Sequence, residues 1–306
     1  MNIQVILASI GICLYTISFF ICITMIVLIF IRIRPSKSHV SILLTCNTYF
    51  NALLVSSIML LMYLYNLLGN INSSIEFNGQ WCEIRTYLTH VCFCAFYHSF
   101  VLQAIFRLFR IILYKHRLLQ SYRIFLTSII LQWILSFMLL FPNLFLDDFQ
   151  YLLYEFNCWI AFQNIRGLIM VTIIIYSNPL TVIFTIYTQI IRHTRRIVHV
   201  QQRRLKSHRR DLIILKRIVI LFFIIVGIGL PTVIIVLIYI ISKSIIPYAY
   251  HIQGLSISLG VLIGSVSLVF VNPQIQKVFY KSQTRILPAV TNTAENNRSE
   301  MPNVGE

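Results

Sequence analysis

Seven runs of about 20 or more predominantly apolar residues punctuate the chain, at 4–31, 39–67, 82–113, 122–144, 165–191, 212–242 and 249–271. Each is long enough, at ~1.5 Å of rise per residue, to cross the ~30 Å hydrocarbon core of a bilayer as a helix. The pattern predicts an all-α membrane protein with seven transmembrane helices. Polar residues gather in the connectors, and the tail beyond residue 284 is polar with Pro288 and Pro302, the composition of a disordered segment. The expected organisation is one domain over 1–283 followed by a cytoplasmic tail over 284–306.

Charge adds an orientation. The 25 Lys and Arg outnumber the nine Asp and Glu among 306 residues, for a formal charge of +16. Only Arg85, Arg166 and Lys243 fall on the side reached after spans two, four and six; every other Lys and Arg flanks the opposite ends. Positive flanks stay cytoplasmic, which puts the N-terminus outside and the C-terminus inside. The basic balance is therefore a topology signal, not a nucleic-acid footprint. With no charged segment and no cleavage site before it, the first span is expected to act as an uncleaved anchor.

The stretch from Trp81 to Lys115 is the axis of this arrangement. Cys82 and Arg107 bound a run of apolar, aromatic and small side chains, and 25 residues of helix set them roughly 37 Å apart, at opposite faces of the membrane. Five of the seven cysteines lie inside spans, while Cys82 and Cys158 reach the outer, oxidising side. The expectation is a Cys82–Cys158 disulfide tying the loop over 145–164 to the third span; the alternative is two free thiols.

Several residues are unusual for their surroundings. Asn47 and Asn51 lie within the second span and need partners across a helix interface, as structural glue or as part of a switch. Gly227, Gly229 and Pro231 in the sixth span free backbone carbonyls and suit a hinge, although packing alone also accounts for them. Asn72-Ser73-Ser74 is a weak glycosylation acceptor on the outer side. None of the nine acids lies within the bilayer, Glu83 being at the outer end of its span, and His98 is alone there, so an intramembrane enzyme, a metal site and a cofactor are not indicated. No internal repeat or charged midplane site supports a transporter.

Taken together, seven spans with an outer N-terminus, the Cys82 and Cys158 pair and Arg107 25 residues after Cys82 resemble the rhodopsin-like (class A) G-protein-coupled receptors, in the manner of invertebrate peptide receptors or chemosensory receptors. Trp133 stands 26 residues after Arg107, Pro179 and Tyr187 are eight apart, and Pro231 sits in the sixth span, as in that family. The family's acid before the arginine is Phe106 here, its tryptophan two before the sixth-span proline is Gly229, and its second-span aspartate is Asn51. Ser265 to Val269 stands as a degenerate form of the seventh-span motif, and residues 273–283 read as an amphipathic helix lying on the inner leaflet.

The resemblance implies roles. Arg107 and Asp211 would latch spans three and six together at rest, and an agonist would bend the sixth span at Gly229 and Pro231. Tyr187 would then swing in to support Arg107, admitting a heterotrimeric G protein. The basic segment from Arg192 to Arg217 either touches that G protein or serves topology and membrane lipids. The ligand is an extracellular peptide or small molecule. Thr89 stands where amine-binding relatives carry aspartate, which argues against a biogenic amine. The candidate pocket is Tyr63, Tyr65, Tyr87, Thr89, His90, Phe93, Trp159, Arg166, His251 and Gln253, aromatic and hydrogen-bonding, suited to a short peptide, a basic one included, or to a small organic molecule; His90 fits equally as a packed histidine.

Overall fold

A computed structural model describes residues 3–33, 40–72, 78–153, 155–198, 226–227, 229–242 and 248–271. Within them run seven helices. They are α1 (Ile3–Ile33), α2 (Val40–Ile71), α3 (Gln80–Ile111), α4 (Tyr122–Phe145), α5 (Ile165–Thr172, continuing through Asn178–Val198), α6 (Gly229–Ser242) and α7 (Ala249–Val271). Six are long and apolar enough to span a membrane, and α6 is described over a shorter stretch. Helices suit this setting because they satisfy every backbone polar group within the segment, where lipid offers no partner. Asp211, the expected amphipathic helix over 273–283 and the tail lie outside the described residues.

Burial shows which faces meet. α3 packs against α2, α4, α5 and both strands of an outer hairpin, and α1 against α2 and α7. The α3 face from Val91 to Phe96 is almost wholly buried. By contrast, Ile130, Leu131, Ile134, Leu135, Met138 and Phe141 of α4 point outward, an apolar face suited to lipid. The two span-two amides are met across helices: Asn51 Nδ2 donates to the Ala95 carbonyl at 3.2 Å, and Asn47 Nδ2 donates to Gln132 Oε1 at 3.2 Å. Gln132 in turn donates to the same Ala95 carbonyl, so α2, α3 and α4 share one acceptor.

Two features depart from plain helix. Ahead of Pro179, the α5 backbone widens into a π turn over Ile173–Ser177. Proline has no N–H to give to the preceding turn, and the wider turn takes up the mismatch. The turn carries Tyr176, whose ring meets Tyr97 of α3 edge-on with centroids 4.9 Å apart.

The outer loop contains an antiparallel hairpin: β1 (Phe149–Leu152) pairs with β2 (Asn157–Ile160), Tyr151 opposite Cys158. Strands of four residues are too short for alternation to show in the sequence. The Cys82–Cys158 disulfide holds β2 to the top of α3 with Cα atoms 5.6 Å apart, and Thr86 Oγ1 donates to the Cys158 carbonyl at 2.7 Å.

Candidate functional site: a cavity beneath the outer hairpin

The turn of the hairpin is braced from below. Phe156 adopts a left-handed backbone (φ 48°), uncommon for a bulky side chain, and its ring fills the place where a Cβ on Gly69 of α2 would lie, 2.2 Å from the nearest ring atom. Only glycine permits that approach. At the other end, buried Asp148 accepts from Arg166 and from Asn164 Nδ2, each at 2.7 Å, pinning β1 to the start of α5.

Held in this way, the hairpin roofs a cavity between the outer ends of α2 and α7. It is a part-open recess, and the empty space in and above it, solvent included, comes to about 460 Å³. Met59, Met62, Tyr63 and Asn66 line it from α2, Tyr250, His251, Gln253 and Gly254 from α7, and Glu155, Asn157 and Trp159 from the hairpin. Such a mostly apolar and aromatic concavity with a few converging polar groups is the usual form of a small-ligand site.

Four residues of the sequence-based pocket, Tyr63, Trp159, His251 and Gln253, converge here. The other six do not line this cavity, and each has a physical reason. Tyr65 lies under the Arg85 guanidinium, 4.4 Å from its ring centroid. Tyr87 donates to the Phe137 carbonyl of α4 at 2.9 Å. Thr89 donates to the Arg85 carbonyl at 2.8 Å and faces Met62 Sδ at 3.5 Å. Phe93 is buried in the helical core. Arg166 is at the start of α5, paired with Asp148. His90 is a packed histidine: Nδ1 is 2.8 Å from the Thr86 carbonyl, and the ring lies against Phe149 and Trp159, supporting the cavity wall from behind.

Glu155 is the residue that sequence reading missed. It looked like one of several loop acids, yet it is only 9% exposed. Asn66 Nδ2 donates to its backbone carbonyl at 2.8 Å and to Oε2 at 3.2 Å, and His251 Nε2 lies 3.2 Å from the same oxygen. Burial pushes its carboxyl up to about 7, with the Asn66 amide pulling the other way.

At the inner ends, half-buried Arg107 borders a small recess with Ser41, Thr45, Gln103 and Leu268. Buried Tyr187 of α5 is near enough to feel its charge. Phe106, in the place of the family's acid, packs edge-on against Phe125 of α4 at 5.3 Å. Ser265 in α7 is tied to two helices: Tyr49 donates to its carbonyl at 3.1 Å, and Cys22 Sγ lies 3.4 Å from its hydroxyl. Gly229 and Pro231 open the described part of α6, and a Cβ at Gly229 would meet nothing nearer than Tyr176 at 3.9 Å. Asn72 is exposed just past α2, while Ser74 lies outside the described residues.

A comparison with curated proteins finds no match. Residues 23–275 match the family model of the 7 transmembrane receptor (rhodopsin family), a receptor family and not an enzymatic one. That match covers most of the chain, from the inner third of α1 through α7, so the protein belongs to the rhodopsin family of seven-transmembrane, G-protein-coupled receptors.

Proposed function

We propose that the receptor takes an extracellular ligand into the cavity beneath the hairpin and passes the event to a heterotrimeric G protein at the opposite face. The observation that carries this reading is the cavity itself, roofed by a disulfide-tethered hairpin and walled by two helices that run toward the inner end. The ligand in this reading is a short peptide whose end enters the cavity, with the rest lying over the hairpin. A small organic molecule seated among the aromatic and polar lining is the second reading, supported by the chemistry of that lining. The N-terminus faces outward, and residues 1–283 act as one receptor unit in the plasma membrane.

In this reading Arg107, Asp211 and Tyr187 bias a two-state bundle. The Arg107–Asp211 latch holds α3 and α6 together at rest, and ligand binding bends α6 at Gly229 and Pro231. An ion pair near water contributes under ~1 kcal/mol, so the latch tilts the resting balance without locking it. Phe106, which carries no charge, leaves basal activity high.

The test is guanine-nucleotide exchange in cells expressing the receptor, screened with peptide and small-molecule libraries. Ligand-driven exchange supports the reading, and its absence with every G-protein subtype at a receptor shown to reach the surface refutes it. Asp211→Ala is expected to raise basal exchange; unchanged basal exchange removes the latch.

A further inference from the structure

We propose that the cavity takes a cationic head group, an amine or a guanidinium, with the Glu155 carboxylate as its counter-ion and the rings of Tyr63, Trp159 and Tyr250 as its walls. This names the ligand class for the receptor reading above and rests on it for biological meaning, though the binding itself is separable.

The starting point is an imbalance of charge. Asp148, the other buried acid among the described residues, has Arg166 at 2.7 Å. Among the described residues Glu155 is paired with no Lys or Arg: its partners are a neutral amide and an imidazole, and no described residue lining the cavity is a Lys or Arg, while Lys243 lies outside the described residues. Arg85, the buried cation of α3, is committed to the face of Tyr65. A carboxylate withdrawn from water requires either a proton or a positive charge.

The space beside it suits the positive charge. Aromatic faces and methionine sulfurs hold a desolvated cation through ring quadrupoles and polarisability. Asn157 and Gln253, also on the wall, carry amide oxygens that can accept from remaining N–H groups. The acid that α3 lacks at Thr89 is thus supplied from the roof. A guanidinium at a peptide end and a small free amine share this chemistry.

Among the described residues, the titratable groups facing Glu155 are Tyr63 from α2 and Tyr250 and His251 from α7. A proton on Glu155 removes the counter-ion, and a proton on His251 replaces the ligand's charge. Both weaken cation binding as pH falls.

The experiment uses the full chain in lipid nanodiscs and reads ligand-induced thermal stabilisation. The probes are 2-phenylethylamine, 2-phenylethylguanidine and acetyl-Phe-Arg-amide, each beside an uncharged counterpart: 2-phenylethanol for the first two and acetyl-Phe-citrulline-amide for the third. At least one cation is expected to stabilise the receptor while its counterpart does not, and affinity is expected to fall up to about tenfold per pH unit below about pH 7. Glu155→Gln should weaken the cation roughly 10- to 100-fold and flatten the pH profile. Should that variant not fold, the wild-type pH profile and the charged-against-neutral comparison decide alone.

Equal stabilisation by charged and neutral members, an affinity independent of pH, or no shift from any cation at about 1 mM, the weak end of specific binding, overturns the proposal. The peptide and small-amine arms distinguish the two sources of the charge. Nucleotide exchange measured in parallel separates the two readings: cation binding without exchange leaves this site standing and sinks G-protein coupling. Exchange driven by a neutral ligand, unaltered in Glu155→Gln, does the reverse.

Discussion

Tyr63 forms part of the cavity wall, and its position is set by two glycines. A Cβ on Gly254 of α7 would lie 2.2 Å from the Tyr63 hydroxyl, with the next atom, Cζ, at 3.2 Å. A Cβ on Gly11 of α1 would instead strike the body of the ring, meeting Cε1, Cδ1 and Cζ at 2.3, 2.7 and 2.8 Å. The ring has little room to yield, being 7% exposed with Tyr15 at 5.6 Å. Gly254→Ala therefore forces a shift of roughly 1 Å to restore van der Waals separation, an overpacking cost of about 1–3 kcal/mol. Because the clash is with the oxygen alone, Tyr63→Phe should relieve most of it. Gly11→Ala should cost at least as much, and Tyr63→Phe should relieve little of it, since the ring carbons remain. Unfolding of such proteins is commonly irreversible, so midpoints are compared at one scan rate. The expected drop is roughly 2–10 °C for either alanine variant. Strong coupling between positions 63 and 254 with weak coupling between 63 and 11 is the expected signature. Additive effects at 63 and 254, or equal rescue at both glycines, would refute this account of the wall.

Removing the disulfide with Cys158→Ser should lower both the unfolding midpoint and surface delivery, by up to ~4 kcal/mol on the loop-entropy estimate. Peptide mapping without reductant checks the link directly. Around β1 the two ends of one ion pair should behave differently. Arg166 has a 59% exposed side chain, so Arg166→Gln should cost under ~1 kcal/mol. Asp148→Ala leaves the Asn164 and Arg166 donors without their acceptor and should cost about 1–3 kcal/mol, both read from thermal unfolding. The empty receptor should also carry a pH signature from Glu155. Its carboxyl is raised in the folded state, so the fold binds more protons than the unfolded chain between about pH 4.5 and 7. Stability should therefore fall as pH rises through that window and level off above it, and Glu155→Gln should flatten the profile.

Seven helices were legible because the bilayer demands a long apolar run for each crossing, a signal that does not depend on neighbours. The Cys82–Cys158 link was legible because only two sulfurs reach the outer side. The cavity was not, since facing direction is a tertiary property. Tyr87, Thr89 and Phe93 were chosen for their depth on α3, yet their partners are Phe137 of α4, Met62 of α2 and the helical core. Pro179 signalled a break in α5 but not the π turn that carries Tyr176 to Tyr97. Glu155 was hidden for a further reason: its burial depends on a chain reversal at Phe156 that is accommodated by Gly69, 87 residues earlier.

Glu155 is also where the fold departs from its own rules. Acids in outer loops normally stay in water, and this one is enclosed with a neutral amide and a histidine as partners. By linkage, the enclosure lowers the stability of the empty receptor near neutral pH. An apolar residue of similar size at the same place would avoid that penalty and pack against Met59, Met62 and Tyr63 without strain in its charge. A cation arriving from outside removes the penalty as it binds, so differential affinity for occupied and empty arrangements is built into one side chain. Because Glu155 sits on the disulfide-tethered hairpin and His251 on α7, neutralising the acid changes the contact between roof and helix directly. The seventh helix is in turn tied near its inner end through Ser265 to Tyr49 and Cys22, so a shift of α7 at the roof acts on contacts shared with α1 and α2. On this argument the hairpin and α7 form the first moving pair, upstream of the α6 hinge. Cross-linking β2 to the outer end of α7 should then block ligand-driven exchange while leaving cation binding intact; loss of both together would place the first movement elsewhere.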